Sequence, residues 1–327
     1  MLRYILKKII AIPFMLLVVS VVLFFLVNLS KVDPSATLLG ANATQEQRQQ
    51  LIEELGLDKP LFIQYVNYIK DALHGDFGYS WYSKRDVLDE IQARFPTTLK
   101  LALITISFSV MIGIPLGVLC AVKQYHWIDN AVTTTAMCLT GIPEFWIGLM
   151  LQLVFSFRLH LLPTYGIKDW KGWIMPVFCL SLPYVSAFIR NVRATMLDCI
   201  RQDYIRTARA KGQREHIVIF RHALRNAMLP IITMIGTMIA GLLAGALVIE
   251  NIFSIPGIGY YIVQSVTNKD IPVVMTGVLF IAIFYLIIMV IIDILYAVVD
   301  PRIRASYEGH KRLPRKKLPQ QKDRAGG

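Results

Sequence analysis

An all-α integral membrane protein with six membrane-crossing helices is the fold class this sequence predicts, on three observations. Its 327 residues are 55% hydrophobic and 17% charged, with a mean hydropathy of +0.52, and a soluble domain of this length carries more charge. The apolar residues gather into six runs, and about 20 apolar residues cross a hydrocarbon core as a helix. The Lys and Arg residues gather beside alternate gaps between those runs, which orients such a chain in a membrane.

Residues 9–29 are a charge-free run of 21, residues 101–122 one of 22 and residues 227–249 one of 23. Residues 131–157 span 27 with Glu144 as their one charge, and residues 271–299 span 29 with Asp293 as theirs. The fourth run, 173–189, is the shortest, 17 residues with Pro176 and Pro183 inside it. One such run is compatible with a buried core helix; six in one chain are not. The start of the chain has the outline of a secretory leader, with Arg3, Lys7 and Lys8 before an apolar run and Ala41-Asn42-Ala43 after it. The run is too long for a leader's apolar core and the small residues lie too far beyond it, so an uncleaved first span is expected.

Residues 190–226 hold nine Lys or Arg against three acids, and the stretch after Asp300 holds nine more. With six spans both fall on the side of the N-terminus, which is therefore the cytoplasmic side of the cell membrane. Residues 31–97, with seven basic and ten acidic residues, fall outside. The net charge of +12 is then mostly cytoplasmic. Contact with anionic lipid heads accounts for it, and no nucleic-acid partner is expected.

The extracytoplasmic region 31–97 reads as three short helices on the mouth of the spans. Residues 45–55 are the first. Residues 62–73 form the second, with Phe62, Tyr65, Val66, Ile69 and Leu73 on one face. After the turn Gly75-Asp76-Phe77-Gly78, residues 86–95 form the third, ended by Pro96. The tail 306–327 is basic and expected to be disordered. Gly113 with Gly117, and Gly241 with Gly245, place small residues one turn apart, which suits close helix packing. No phosphate-binding GxxxxGK[ST] stretch, HExxH or GxSxG occurs, so neither an enzyme nor a nucleotide site is expected in this chain. The four cysteines, 120, 138, 179 and 199, have no metal-ligand spacing, so no metal and no cofactor is expected.

One cytoplasmic stretch stands apart. Residues 203–212, DYIRTARAKG, read as a short helix with Asp203 at its positive end and Gly212 as a left-handed terminator. A second helix follows, with Ile217, Phe220, Leu224 and Met228 on one face and Arg214, Arg221 and Arg225 on the other. A basic loop that only fixes orientation is one reading of this elbow. A rigid docking helix for a moving cytoplasmic partner is the other.

The elbow resembles the cytoplasmic loop of binding-protein-dependent ABC importer permeases, whose pattern is Glu-Ala-Ala, three residues, Gly, then Ile-x-Leu-Pro. Here Arg206-Thr207-Ala208 precede Arg209-Ala210-Lys211-Gly212, with Arg206 in place of Glu and Thr207 in place of the first Ala. Met228-Leu229-Pro230 lies farther from Gly212 than in the pattern, and His222-Ala223-Leu224-Arg225 stands at the usual spacing. These departures resemble the peptide/nickel (dipeptide, oligopeptide) branch. So do Gly56-Leu57-Asp58-Lys59-Pro60 with Gln64-Tyr65, Gly75-Asp76-Phe77-Gly78, and Phe95-Pro96-Thr97-Thr98-Leu99 leading to Gly113-Ile114-Pro115-Leu116-Gly117. Ile252-Phe253-Ser254-Ile255-Pro256-Gly257-Ile258-Gly259 and the close with Asp293, Tyr296 and Asp300-Pro301-Arg302-Ile303-Arg304 agree as well.

The resemblance covers residues 1–305, and the long outer region is similar to the B-type member of a B/C permease pair. It implies a type I importer permease architecture and uptake of di- or oligopeptides. It also implies a second, C-type permease, two cytoplasmic ABC ATPases and an extracytoplasmic substrate-binding protein. Tyr204, Arg206, Thr207, Ala208, Arg209, Lys211 and Gly212 would couple to an ATPase. Ile255, Pro256, Gly257 and Gly259 would dock the binding protein. Nickel chelates or another small solute remain an alternative cargo, and a non-transporting membrane scaffold or sensor an alternative role.

Glu144, beside Pro143 in the third run, and Asp293 in the sixth are expected to face the bundle interior or a wet cavity, because a carboxylate in hydrocarbon costs at least about 2.5 kcal/mol. Both are candidates for lining a translocation path. A structural carboxyl bonded to a neighbouring helix is the other reading of Glu144, and orienting the sixth span the other reading of Asp293.

Overall fold

The computed structural model describes residues 2–29, 38–39 and 43–299; the tail 306–327 and the close 300–304 lie outside them. α1 (Leu2–Leu29) is followed by two short helices, α2 (Gln45–Glu54) and α3 (Leu61–Leu73). α4 (Val87–Val122) and α5 (Trp127–Thr140) come next, then α6, which starts at Glu144–Leu151 and continues π-helically over Gln152–Arg158. α7 is Lys171–Ile200 and α8 is Asp203–Ala210. Glu215–Ile217, the π-helical turn Val218–Leu224 and Arg225–Gly245 run on as α9. α10 (Leu247–Ile252), α11 (Ile258–Thr267) and α12 (Ile271–Val299) complete the described chain.

Five helices are long and apolar enough to cross a membrane singly: α1, α4, α7, α9 and α12. The third apolar run is not one helix. α5 and α6 meet at a bend of 93°, because Gly141-Ile142-Pro143 interrupts the backbone ladder and Pro143 brings no N–H to it. Packing along α7 shows that the bent pair still crosses. Gly113 of α4 faces Phe188 of α7, and Gly117 faces Val192, so α4 and α7 run in the same direction. The chain between them must therefore return across the layer. Asp129 of α5 meets Arg193, the Glu144 carbonyl meets Cys179, and Ser156 meets Met175. The contact slides from the late to the early end of α7, as an antiparallel crossing requires. Six crossings result.

Three expectations need correction. The helix foreseen over 86–95 does not stop at Pro96. It is the start of α4, which runs 36 residues through Pro96 and Pro115, about 54 Å. Asp86 caps its start by accepting from the Asp89 N–H at 3.0 Å. Packing on both sides holds the turn at Pro96: the Phe95 ring lies 5.4 and 4.1 Å from those of Phe280 and Phe284, and Thr98 bonds to Glu250. The short fourth run is the middle of a 30-residue helix, α7, that keeps Pro176 and Pro183 within it. Arg190 and Arg193 therefore sit on a spanning helix, not in a loop. On α9 the buried residues are Val218, Ile219, Ala223, Ala227 and Ile231, while Phe220 is exposed. Leu224 and Met228 pack against that cluster as expected and Ile217 is partly buried, so the wide π turn takes only Phe220 off the expected face.

α3 lies on the first span. Tyr65 of α3 stacks edge-on to Phe24 of α1 at 5.3 Å and shares a 2.8 Å hydrogen bond with Ser20. Phe62, Val66 and Leu73 of the same helix stay exposed. Buried Asp270 accepts from Ser80 Oγ (2.5 Å) and from the Trp81 and Tyr82 N–H groups (3.0 and 3.3 Å), tying the turn before α4 to the start of α12.

A Cβ on Gly113 would lie 2.4 Å from Phe188 Cβ, whereas one on Gly141 would meet only ordinary contact at 3.5 Å. Gly113→Ala is expected to lower stability by about 1–3 kcal/mol and Gly141→Ala to leave it nearly unchanged, as read by thermal unfolding in detergent. Equal effects would contradict the α4–α7 packing.

Candidate functional site

α8 and its elbow form the first part of the site. Ile205 and Ala208 are buried in one apolar cluster with Val118 of α4, Met196 of α7 and Ile219 of α9. Tyr204, Arg206, Thr207, Arg209 and Lys211 are exposed. The helix is amphipathic, seated on three spans and open to the side away from them. Gly212 ends it at φ +75°. Gly212 N–H donates to the Arg209 carbonyl and Gln213 N–H to the Ala208 carbonyl, the paired bonds of a Schellman cap. Arg209 then reaches across the elbow to Glu215 at the start of α9, Nη2 to Oε1 at 2.6 Å and Nε to Oε2 at 3.2 Å. Sequence reading placed the elbow and missed this clasp, whose signal was the one acid following a basic run.

The opposite end carries the loop between α10 and α11. Ser254 turns the chain at φ +48° after α10. Ile255, Gly257 and Gly259 are buried, and Pro256 is exposed. They wrap Glu250, a fully buried carboxylate that sequence reading did not single out. Glu250 accepts from Thr98 Oγ1 at 2.7 Å and from Tyr260 N–H at 3.0 Å, while Thr98 Oγ1 accepts from Ile258 N–H at 2.9 Å. Glu250 and Thr98 together cap α11 and fix the loop to α4. A Cβ on Gly257 would lie 2.4 Å from the Glu250 carboxylate oxygens, and one on Gly259 would lie 2.9 Å from Oε2. The glycines are there because the carboxylate is. The loop 159–170 joins the same mouth through Gly166 N–H to the Phe253 carbonyl at 2.8 Å. Beside it opens a cavity of about 660 Å³ lined by Lys100, Lys168, Trp170 and Trp173.

The break in the third crossing is the last part. Glu144 stands at the first turn of α6 and is half-buried. Its carboxylate lies near Tyr184 and Cys179 of α7, and among the described residues no cation pairs with it. Tyr184 in turn reaches toward Gly241 of α9. Below that contact, Asn226, Thr233, Thr237 and Gly241 recur along one face of α9, and Asn191 is exposed on α7. A polar seam thus runs from the break toward α8, where Asn226 meets Tyr204. Asp293 is elsewhere: it pairs with Lys8 of α1 at 2.8 Å, at the α1–α12 contact. The structure does not bring Asp293 to Glu144.

Residues 113–305 match the family described as "Binding-protein-dependent transport system inner membrane component", and residues 1–102 match its N-terminal companion. The chain is 38% identical over 304 residues, 93% of its own length and 99% of theirs, to the "Glutathione transport system permease protein GsiC" of Escherichia coli K12 and that of Salmonella typhi. Among solved structures it resembles an inward-facing MetNI methionine ABC transporter (TM-score 0.54, 17% identity, 65% of this chain and 97% of that one). It also resembles an amino acid ABC transporter with histidines (TM-score 0.51, 16% identity, 66% and 94%). These two likenesses concern the fold.

Glu250→Gln puts an amide donor where only acceptors fit, leaving a donor unmatched at roughly 1–3 kcal/mol. Amide hydrogen exchange at Ile258 and Tyr260 is expected to speed up about tenfold or more. Unchanged exchange would contradict the capping role.

Proposed function

The chain belongs to the inner-membrane permease family of binding-protein-dependent ABC importers, in its peptide/nickel branch, and we propose that it takes up short peptides driven by separate ATPases. The observation that carries the coupling half is the seating of α8. A force on its exposed face can reach α4, α7 and α9 through one apolar cluster, in which Ile205 and Ala208 are buried with residues of all three. Such a helix suits a partner that moves on nucleotide binding. The Lys and Arg distribution supports a cytoplasmic α8 and cytoplasmic termini. Tyr204, Arg206, Thr207 and Lys211 then face the ATPase, while Arg209, Ala208 and Gly212 keep the helix in place.

On the outer side the binding protein docks on the loop around Pro256, which Ile255, Gly257 and Gly259 shape from within. A second, C-type permease completes the pore against the polar seam. Peptide cargo is supported by the 38% identity to permeases named for glutathione, itself a peptide. Glu144, without a cation partner and beside the seam, lines the path and attracts a peptide's amino terminus. Midpoint sites at broken helices are a general transporter solution. Asp293, neutralised by Lys8, orients α12 instead.

Reconstitution with the ATPases, binding protein and second permease tests this reading: short peptides should stimulate ATP hydrolysis and accumulate. Gly212→Pro and Arg209→Glu should leave the complex assembled while lowering uptake per ATP at least tenfold, and Arg209→Glu with Glu215→Arg should recover most of it. Normal coupling in both single variants would overturn the role of α8. Cysteines at Pro256 should crosslink to the binding protein, and crosslinks to an ATPase would reverse the orientation.

A further inference from the structure

Arg190 was counted with a cytoplasmic loop by sequence, but it lies on the spanning helix α7 and is partly exposed. Its Nη1 donates to Thr140 Oγ1 at 3.1 Å, a neutral acceptor at the end of α5. Among the described residues no carboxylate pairs with it. Its neighbour Arg193, by contrast, is held by both oxygens of buried Asp129, at 2.6 and 2.7 Å. One arginine of α7 is therefore fully committed to structure and the other is not. An uncommitted cation at membrane depth faces protein or water, not lipid, and marks a pathway.

Arg190 and Glu144 flank the same break. Thr140, which holds Arg190, and Glu144 are four residues apart, so the chain between them spans at most about 14 Å. Opposite charges thus stand on either side of the bend, and among the described residues neither has an ionic partner. Resting on the peptide reading above, we infer that the break in the third crossing is a dipolar subsite for short zwitterionic peptides, with Glu144 taking the amino terminus and Arg190 the carboxylate. A guanidinium suits that task because its planar fork matches a carboxylate. Both groups are specificity-determining residues of the path, and cargo without two charged ends gains nothing from them.

The test uses the complete reconstituted transporter, with a dipeptide and its carboxy-amidated form, each rate referred to wild type with the same peptide. Arg190→Gln should slow the free dipeptide at least tenfold and leave the amidated form within twofold, and Arg190→Lys should restore much of the loss. Equal slowing of both forms overturns the inference. A second measurement needs only the free dipeptide: Glu144→Arg and Arg190→Glu should each slow uptake, and their combination should recover it, because the zwitterion can bind turned end for end. A combination no better than the worse single variant overturns the inference. If the wild-type complex moves no peptide at all, the peptide reading itself fails.

Discussion

Gly113 and Gly117 bring the backbones of α4 and α7 so close that a Cβ on either would fall 2.4 Å from Phe188 or 2.7 Å from Val192. In a hydrocarbon layer no water is released by pressing two apolar helices together, so contact by small residues is what holds them. The two helices run in the same direction, and the chain that joins them has to cross back. It does so antiparallel to α7, and it is bent at Gly141-Ile142-Pro143 on the way. The freed backbone groups at such a bend are tolerable only where protein or water covers them. Polar groups therefore collect beside it: Glu144, Tyr184, Thr140 and Arg190. The inner ends of α4 and α7 extend beyond their glycine contact into the cluster that seats α8, so the same pair links the bend to the elbow.

Rigidity at the elbow comes from three small devices. A left-handed glycine ends α8, a forked Arg209–Glu215 pair spans the turn, and two apolar residues are buried beneath. The ion pair is exposed and contributes little to stability; its role is to fix the angle between α8 and α9. At the opposite end a buried carboxylate does the comparable work. Glu250 holds the loop to α4 through Thr98, so both ends of α4 are fastened to a surface segment, one by a polar clamp and one by apolar packing.

Much of this was legible in the residues. Six apolar runs gave six crossings, Gly212 gave the end of α8, and the spacing of Gly113 and Gly117 marked a close approach. The prolines misled. Pro96 read as a stop, yet packing on both sides carries α4 through it, and α7 likewise keeps Pro176 and Pro183 within it. Pro143 does break its helix, where Gly141 precedes it and the Pro143 nitrogen has no N–H to give. The π turn at 218–224 turned Phe220 out of the face of α9, and periodicity has no signal for that. Glu250 ends a charge-free run just before the Ile-Pro-Gly-Ile-Gly stretch, which was the available sign of a carboxylate wrapped by glycines. Asp293 carried the same charge as Glu144 in sequence, but Asp293 pairs with Lys8 while Glu144 lies beside Tyr184 and Cys179.

The central claim is that α8 and the inner ends of α4, α7 and α9 move as one body. Spin labels on Arg206 of α8 and Leu119 of α4, in the complete transporter, report it directly as a distance within one chain. Between the nucleotide-free and ATP-trapped states that distance should stay within about 2 Å, below the displacements of hinge and shear transitions. A change of several ångströms would mean that the elbow swings independently of the spans, and the account would be wrong.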